Sequence, residues 1–200
     1  FYPDYKPVGD NNQINRWESF WETPLDHQKG LTVVEITEAM YERKVKGAYV
    51  MGENPAMSDP DQNHTREALS RLKHLVVQDI FMTETAAFAD VILPASAFPE
   101  KDGTFTNTDR RVQMGRKAIN PPGHAKQDWW IIQEIANRMG LNWNYSDPRD
   151  VFSEMQQMMP SLNGITWNRL LKESAVTYPC ADENSIGCLL YTSDAADDTC

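Results

Sequence analysis

Three short apolar runs, each stopped by a polar or chain-breaking cluster, constrain this chain more than any other feature. Ala48-Tyr49-Val50-Met51 ends at Gly52-Glu53-Asn54-Pro55, His74-Leu75-Val76-Val77 ends at Gln78-Asp79, and Asp90-Val91-Ile92-Leu93 ends at Pro94. The runs are continuous instead of alternating, which predicts strands covered on both faces. Helix-type sequence separates them. Strand, helix, strand, short helix, strand is the rhythm of an open parallel sheet with crossover helices, so the predicted fold class is α/β, followed by a helical segment.

The helices announce their own ends. Thr32 and Glu35 form a capping box, and Val33, Ile36 and Met40 then recur at helical spacing. Asp59-Pro60 reads as an N-cap and first helical residue, with Ala68, Leu69 and Leu72 inward. Thr83 to Phe88 is a short helix. Thr104-Phe105-Thr106 and Arg111-Val112-Gln113 make a small hairpin. A helix from Asp128 ends at Gly140, and Trp129, Ile132, Ala136 and Met139 give it one apolar stripe. Asp147-Pro148 opens another helix, and Thr166 starts the last. Phe1 to Gln28 is read as a loop in which Trp17, Phe20 and Trp21 could line a short helix face.

Composition then removes function classes. A net charge of −10 argues against a nucleic-acid surface, which needs clustered Lys and Arg. A hydrophobic share of 40% can bury a core, yet no run of about 18 apolar residues is present to span a membrane. Cys180, Cys188 and Cys200 match no zinc or iron–sulfur spacing, and without a secretory signal they read as reduced thiols of a cytoplasmic protein. The chain opens Phe1-Tyr2-Pro3 without Met, so a true start is expected upstream. From Cys188 the wording changes abruptly to resemble translated adapter sequence, and residues 188–200 are set aside as a non-native tail.

In an open parallel sheet, ligands bind outside the carboxyl ends of the strands. Those ends offer Asn54, then Gln78 and Asp79, then Pro94 with Ser96. A carboxylate can accept two hydrogen bonds from guanine N1 and N2 or from a ribose diol. Asn54 and Asp79 could equally cap turns, as these residue types often do. No GxGxxG or GxxxxGK[ST] loop occurs, which excludes the familiar dinucleotide and P-loop sites. Between Glu100 and Arg111, Lys101 and the arginines surround Gly103; a solvated loop is one reading, a phosphate contact the other. Asp128 stands in a first helical turn, where capping alone would explain it. The four histidines lack metal-ligand spacing, no nucleophile elbow exists, and Glu84 and Asp90 form no evident pair, so no catalytic residue and no metal ligand is nominated.

The wording of three motifs goes further. Tyr49 to Asp61 (YVMGENPAMSDPD), Val76 to Thr85 (VQDIFMTET within it) running on to Ala89-Asp90-Val91-Ile92-Leu93-Pro94-Ala95, and Glu100 to Gln113 around Lys101-Asp102-Gly103-Thr104-Phe105-Thr106-Asn107 resemble formate dehydrogenase large (alpha) subunits. These belong to the dimethyl sulfoxide reductase type of molybdopterin oxidoreductase. The resemblance runs from Gly30 to Cys180 and implies a Rossmann-like domain that binds one of two molybdopterin guanine dinucleotides around molybdenum or tungsten. It implies that Asn54, Gln78, Asp79, Lys101 and Asp128 contact the guanine dinucleotide. The metal ligand, its neighbouring His and the iron–sulfur cysteines would lie upstream. The implied reaction is formate to carbon dioxide, with electrons passed through iron–sulfur and flavin partner subunits to NAD. A non-catalytic homologue of the complex I large subunit, and a nitrate or other oxyanion reductase, are the alternatives. Residues 1–29 are then a segment packing on missing parts, 30–145 a partial dinucleotide-binding domain, and 146–187 a helical linker toward the next domain.

Overall fold

The computed structural model describes residues 2–9 and 11–187, so the tail assigned to 188–200, with Cys188 and Cys200, lies outside the described residues. The chain divides into two compact units. Unit 2 comprises Gly30–Lys101 and Ala118–Trp143, and unit 1 comprises Phe1–Lys29, Asp102–Lys117 and Asn144–Cys200. The Asp102–Lys117 stretch clusters with unit 1 and not with the sheet.

Unit 2 holds the three-stranded sheet. Strand β1 (Gly47–Met51) pairs with β2 (His74–Asp79), which pairs with β3 (Val91–Pro94), all parallel and in the order β1-β2-β3. Helix α2 (Val33–Tyr41) precedes β1, and its capping box forms as the sequence predicts: Glu35 N donates to Thr32 Oγ1 at 3.4 Å and Thr32 N donates to Glu35 Oε2 at 2.7 Å. The crossover from β1 to β2 is two helices, α3 (Pro55–Ser58) and α4 (Gln62–Ser70). This corrects the expected start at Asp59-Pro60. Pro60 forces Asp59 into an extended conformation (ψ 145°), which breaks the chain there, and Asp61 caps α4 instead by accepting from His64 N at 3.0 Å.

Thr83 to Phe88 is likewise less helical than expected, with only a 3-10 turn at Ala86–Phe88. Thr83 Oγ1 caps that turn by accepting from Ala86 N at 3.2 Å, while Thr85 Oγ1 accepts from Ala56 N at 3.1 Å on the loop after β1. Helix α5 (Asp128–Arg138) completes the unit, and Gly140 follows it with φ +95° as its terminator requires. Below the sheet, Leu75 and Val77 pack with Met40, Ala56, Ala68, Leu69 and Ala86. The other face is only partly covered. Tyr49, Met51 and Val91 are 44%, 46% and 39% exposed, so the two-sided burial inferred from the continuous runs does not hold within this chain. An apolar groove of about 580 Å³ lies on that face, lined by Tyr49, Val76 and Leu93 from the sheet and Ile132, Ile135 and Met139 around α5.

Unit 1 carries helix α1 (Asn11–Trp21) where a loop was expected. Ile14 and Trp17, three residues apart and each 1% exposed, bury one stripe, while Trp21 is exposed. The predicted hairpin forms from β4 (Gly103–Thr106) and β5 (Arg111–Gly115), and β6 (Ala175–Thr177) joins it antiparallel. Helices α6 (Pro148–Met158) and α7 (Trp167–Glu173) begin at the caps Asp147 and Thr166, as the sequence indicates. Their core gathers Val112, Phe152, Leu162, Ile165, Trp167, Leu170, Val176 and the free thiol Cys180.

Candidate functional site

Parallel pairing puts the last residues of β1, β2 and β3 along one carboxyl edge of unit 2. Met51 lies opposite Gln78, and Asp79 lies opposite Pro94. Strand alternation then decides which way each side chain faces. Tyr49 and Met51 share a face with Val76 and Gln78, because register pairs Tyr49 with Val76. Gln78 is wholly buried, an unusual place for an amide unless both its ends are bonded.

Both are. Its Nε2 donates to Asp128 Oδ1 at 2.7 Å, and its Oε1 accepts from the Tyr49 hydroxyl. The other Asp128 oxygen accepts from Lys101 Nζ. Three of the five predicted residues, Gln78, Lys101 and Asp128, thus form one polar chain that starts at Tyr49. Asp128 is the first residue of α5, and its carboxylate serves this chain, so capping does not exhaust its role. Burial first, and the Asp128 carboxylate second, push the Tyr49 phenol above its ordinary pKa, which keeps it a donor at neutral pH.

The remaining two residues stand at the same edge but outside that chain. Asn54 Oδ1 accepts from Thr85 N at 3.1 Å and from Thr85 Oγ1 at 2.7 Å, and its Nδ2 donates to Glu84 at 2.7 Å. The Glu84 carboxyl is held below its usual range chiefly by that Asn54 bond. Asn54 therefore ties the loop after β1 to the loop after β2. Asp79 folds back on its own loop: Oδ1 accepts from Ile80 N at 2.6 Å and Phe81 N at 3.2 Å. This is the turn-forming behaviour weighed in the sequence, and it uses one carboxylate oxygen, leaving Oδ2 for an incoming donor. Ser96, just past β3, is buried with an Oγ that has no hydrogen-bond partner.

Tyr49 is the participant that the sequence did not nominate. A tyrosine inside an apolar run reads as core, and only the register reveals a partner 29 positions away. His27, His64 and His74 each face a single carboxylate, and no cluster of His, Cys, Asp or Glu able to hold a metal occurs among the described residues.

Acids, an amide and a lysine thus line the carboxyl edge of an open parallel sheet, the edge at which such sheets bind ligands. The chain belongs to the molybdopterin oxidoreductase family, whose model matches residues 9–138. It is 46% identical over 195 residues to the F420-dependent formate dehydrogenase subunit alpha of Methanocaldococcus jannaschii, covering 96% of this chain and 28% of that protein. It is 41% identical over 181 residues to F420-dependent formate dehydrogenase 1 subunit alpha of Methanococcus maripaludis, covering 90% of this chain and 26% of the relative. The chain thus spans little more than a quarter of the length of these relatives. Among solved structures, acetylene hydratase from Pelobacter acetylenicus superposes with a TM-score of 0.62 over 96% of this chain and 29% of its own, at 22% identity, which supports the fold alone.

The donor set suits the nucleotide end of such a cofactor. Asp79 has a carboxylate oxygen without a partner, Asp128 has lone pairs beyond its two bonds, Lys101 is cationic, and the orphaned Ser96 hydroxyl lies at the same edge.

Proposed function

We propose that this chain holds the guanine dinucleotide end of a molybdopterin cofactor in the large subunit of a formate dehydrogenase, which oxidises formate to carbon dioxide. The carrying observation is the polar chain along the carboxyl edge, Gln78 to Asp128 to Lys101, beside a half-used Asp79. Guanine N1–H and N2–H₂ form a donor pair that a carboxylate accepts, which gives Asp79 and Asp128 their roles. Lys101 offers a charge to the phosphates. Asn54 and Gln78 act mainly by bracing: one joins two loops and the other orients Asp128. When bound, the cofactor supplies the two-electron chemistry, while this segment binds and orients it.

Formate as substrate rests on the relatives, and so does the correction to the electron route. Both are named F420-dependent, which weighs against NAD as the parent's acceptor. Iron–sulfur clusters, molybdenum or tungsten, and iron–sulfur or flavin partner subunits belong to the parent in this reading. A cytoplasmic site of action completes it. No helix among the described residues is long and apolar enough to cross a membrane.

In the full-length enzyme, Asp79→Ala removes the acceptor left open at Oδ2 and is expected to lower both metal and pterin content. Wild-type metal occupancy together with wild-type formate oxidation would contradict the role.

A further inference from the structure

We propose that Tyr49 is a positioning residue of this edge: its hydroxyl fixes the Gln78 amide, and through it the Asp128 carboxylate and Lys101. The inference rests on reading the edge as the nucleotide site, and it names a control point that lies one step behind the contacts.

A primary amide can be turned over, exchanging its carbonyl oxygen for its NH₂. At Gln78 the two orientations are not equivalent. With Oε1 receiving the Tyr49 hydroxyl, Nε2 faces Asp128 at 2.7 Å. Turned over, the carbonyl oxygen would oppose a carboxylate. Gln78 is fully buried, so solvent is not there to hold the amide in place of Tyr49. Tyr49 is also placed to do this by the backbone. It sits on the same sheet face as Gln78, two register positions back on the adjacent parallel strand. Asp128 then keeps one donor on each oxygen, and its remaining lone pairs are presented in a fixed direction. Without the hydroxyl, the buried Oε1 loses its donor and the amide is held only through Nε2, so the acceptor that nucleotide binding needs is pre-organised for only part of the time.

Tyr49→Phe removes the hydroxyl and keeps the ring on the apolar groove. The experiment compares full-length wild type, Tyr49→Phe, Gln78→Leu, their double variant and Asp79→Ala, reading the rate at which pterin guanine dinucleotide is released on mild warming. Loss of one such hydrogen bond predicts release about five- to tenfold faster in Tyr49→Phe. In the Gln78→Leu background, Tyr49→Phe should add nothing, because its action passes through Gln78. Release at the wild-type rate in Tyr49→Phe, or an effect that simply adds to that of Gln78→Leu, overturns the positioning role. If Asp79→Ala leaks cofactor while Tyr49→Phe does not, the relay alone fails. If Asp79→Ala and Gln78→Leu both hold cofactor as wild type does, the reading of the edge fails and the inference falls with it.

Discussion

Gln78 is the residue on which the most depends. Its side chain is buried between a phenol and a carboxylate, and both would lose a partner if it became apolar. Gln78→Leu should therefore destabilise the chain by about 1–3 kcal/mol, the cost of leaving polar groups without partners in a partly desolvated place. Denaturant unfolding checks this through the midpoint, and an unchanged midpoint would mean that solvent replaces the amide at no cost. At this scale the sequence located the polar residues of the edge but not their partners. Asn54, Gln78 and Asp79 could be picked out because they end strands, and Asp128 because it begins a helix. That Asn54 binds Thr85 and Glu84, while Gln78 reaches Asp128 fifty positions away, depends on tertiary geometry that no local pattern carries. Tyr49 was hidden for the opposite reason, since its apolar neighbours make it look like core.

Among the elements, caps were the most legible signals. Thr32 with Glu35, Asp147 and Thr166 each mark a helix start in sequence and in structure, because a side-chain acceptor three residues or fewer before an amide is a local fact. The misreadings have other causes. Pro60 moved the expected helix start to Asp61, and Thr83 to Phe88 forms only a single 3-10 turn, with Thr85 tied to Asn54 and Ala56 across the edge. The hydrophobic stripe of α1 was concealed among Asn, Gln, Arg, Glu and Ser, yet Ile14 and Trp17 were enough to define it. Helix α6 also supplies a pH prediction. Its Glu154 accepts from the Tyr145 hydroxyl, and burial first, then that bond and charge, push the phenol up to about 12 from 10.0. A folded pKa above the unfolded one means the stabilisation is whole below pH about 10 and is lost as pH rises toward 12. Phenolate absorbance should show a component titrating at about pH 12 that Tyr145→Phe abolishes; its persistence in that variant would assign it elsewhere.

The described residues gather into two cores, one in each unit, and one unit holds a parallel sheet whose second face they only partly cover. Continuous apolar runs told correctly of parallel strands but overstated their burial, because covering that face is not done by these residues alone. Phe81, Met82 and Phe98, at 73%, 72% and 70% exposed, extend the same apolar character along the carboxyl edge. Surface of this kind marks contact with other protein or with a ligand. Family membership and fold were therefore readable from motif order, whereas the contacts at the edge were not. The most direct test of the nucleotide-edge reading is an experimental structure of the full-length enzyme with its cofactor bound. A guanine edge within about 3 Å of the carboxylates of Asp79 or Asp128, with phosphate near Lys101, is the predicted result. A dinucleotide bound elsewhere, with Asp79, Lys101 and Asp128 contacting only protein, would contradict it.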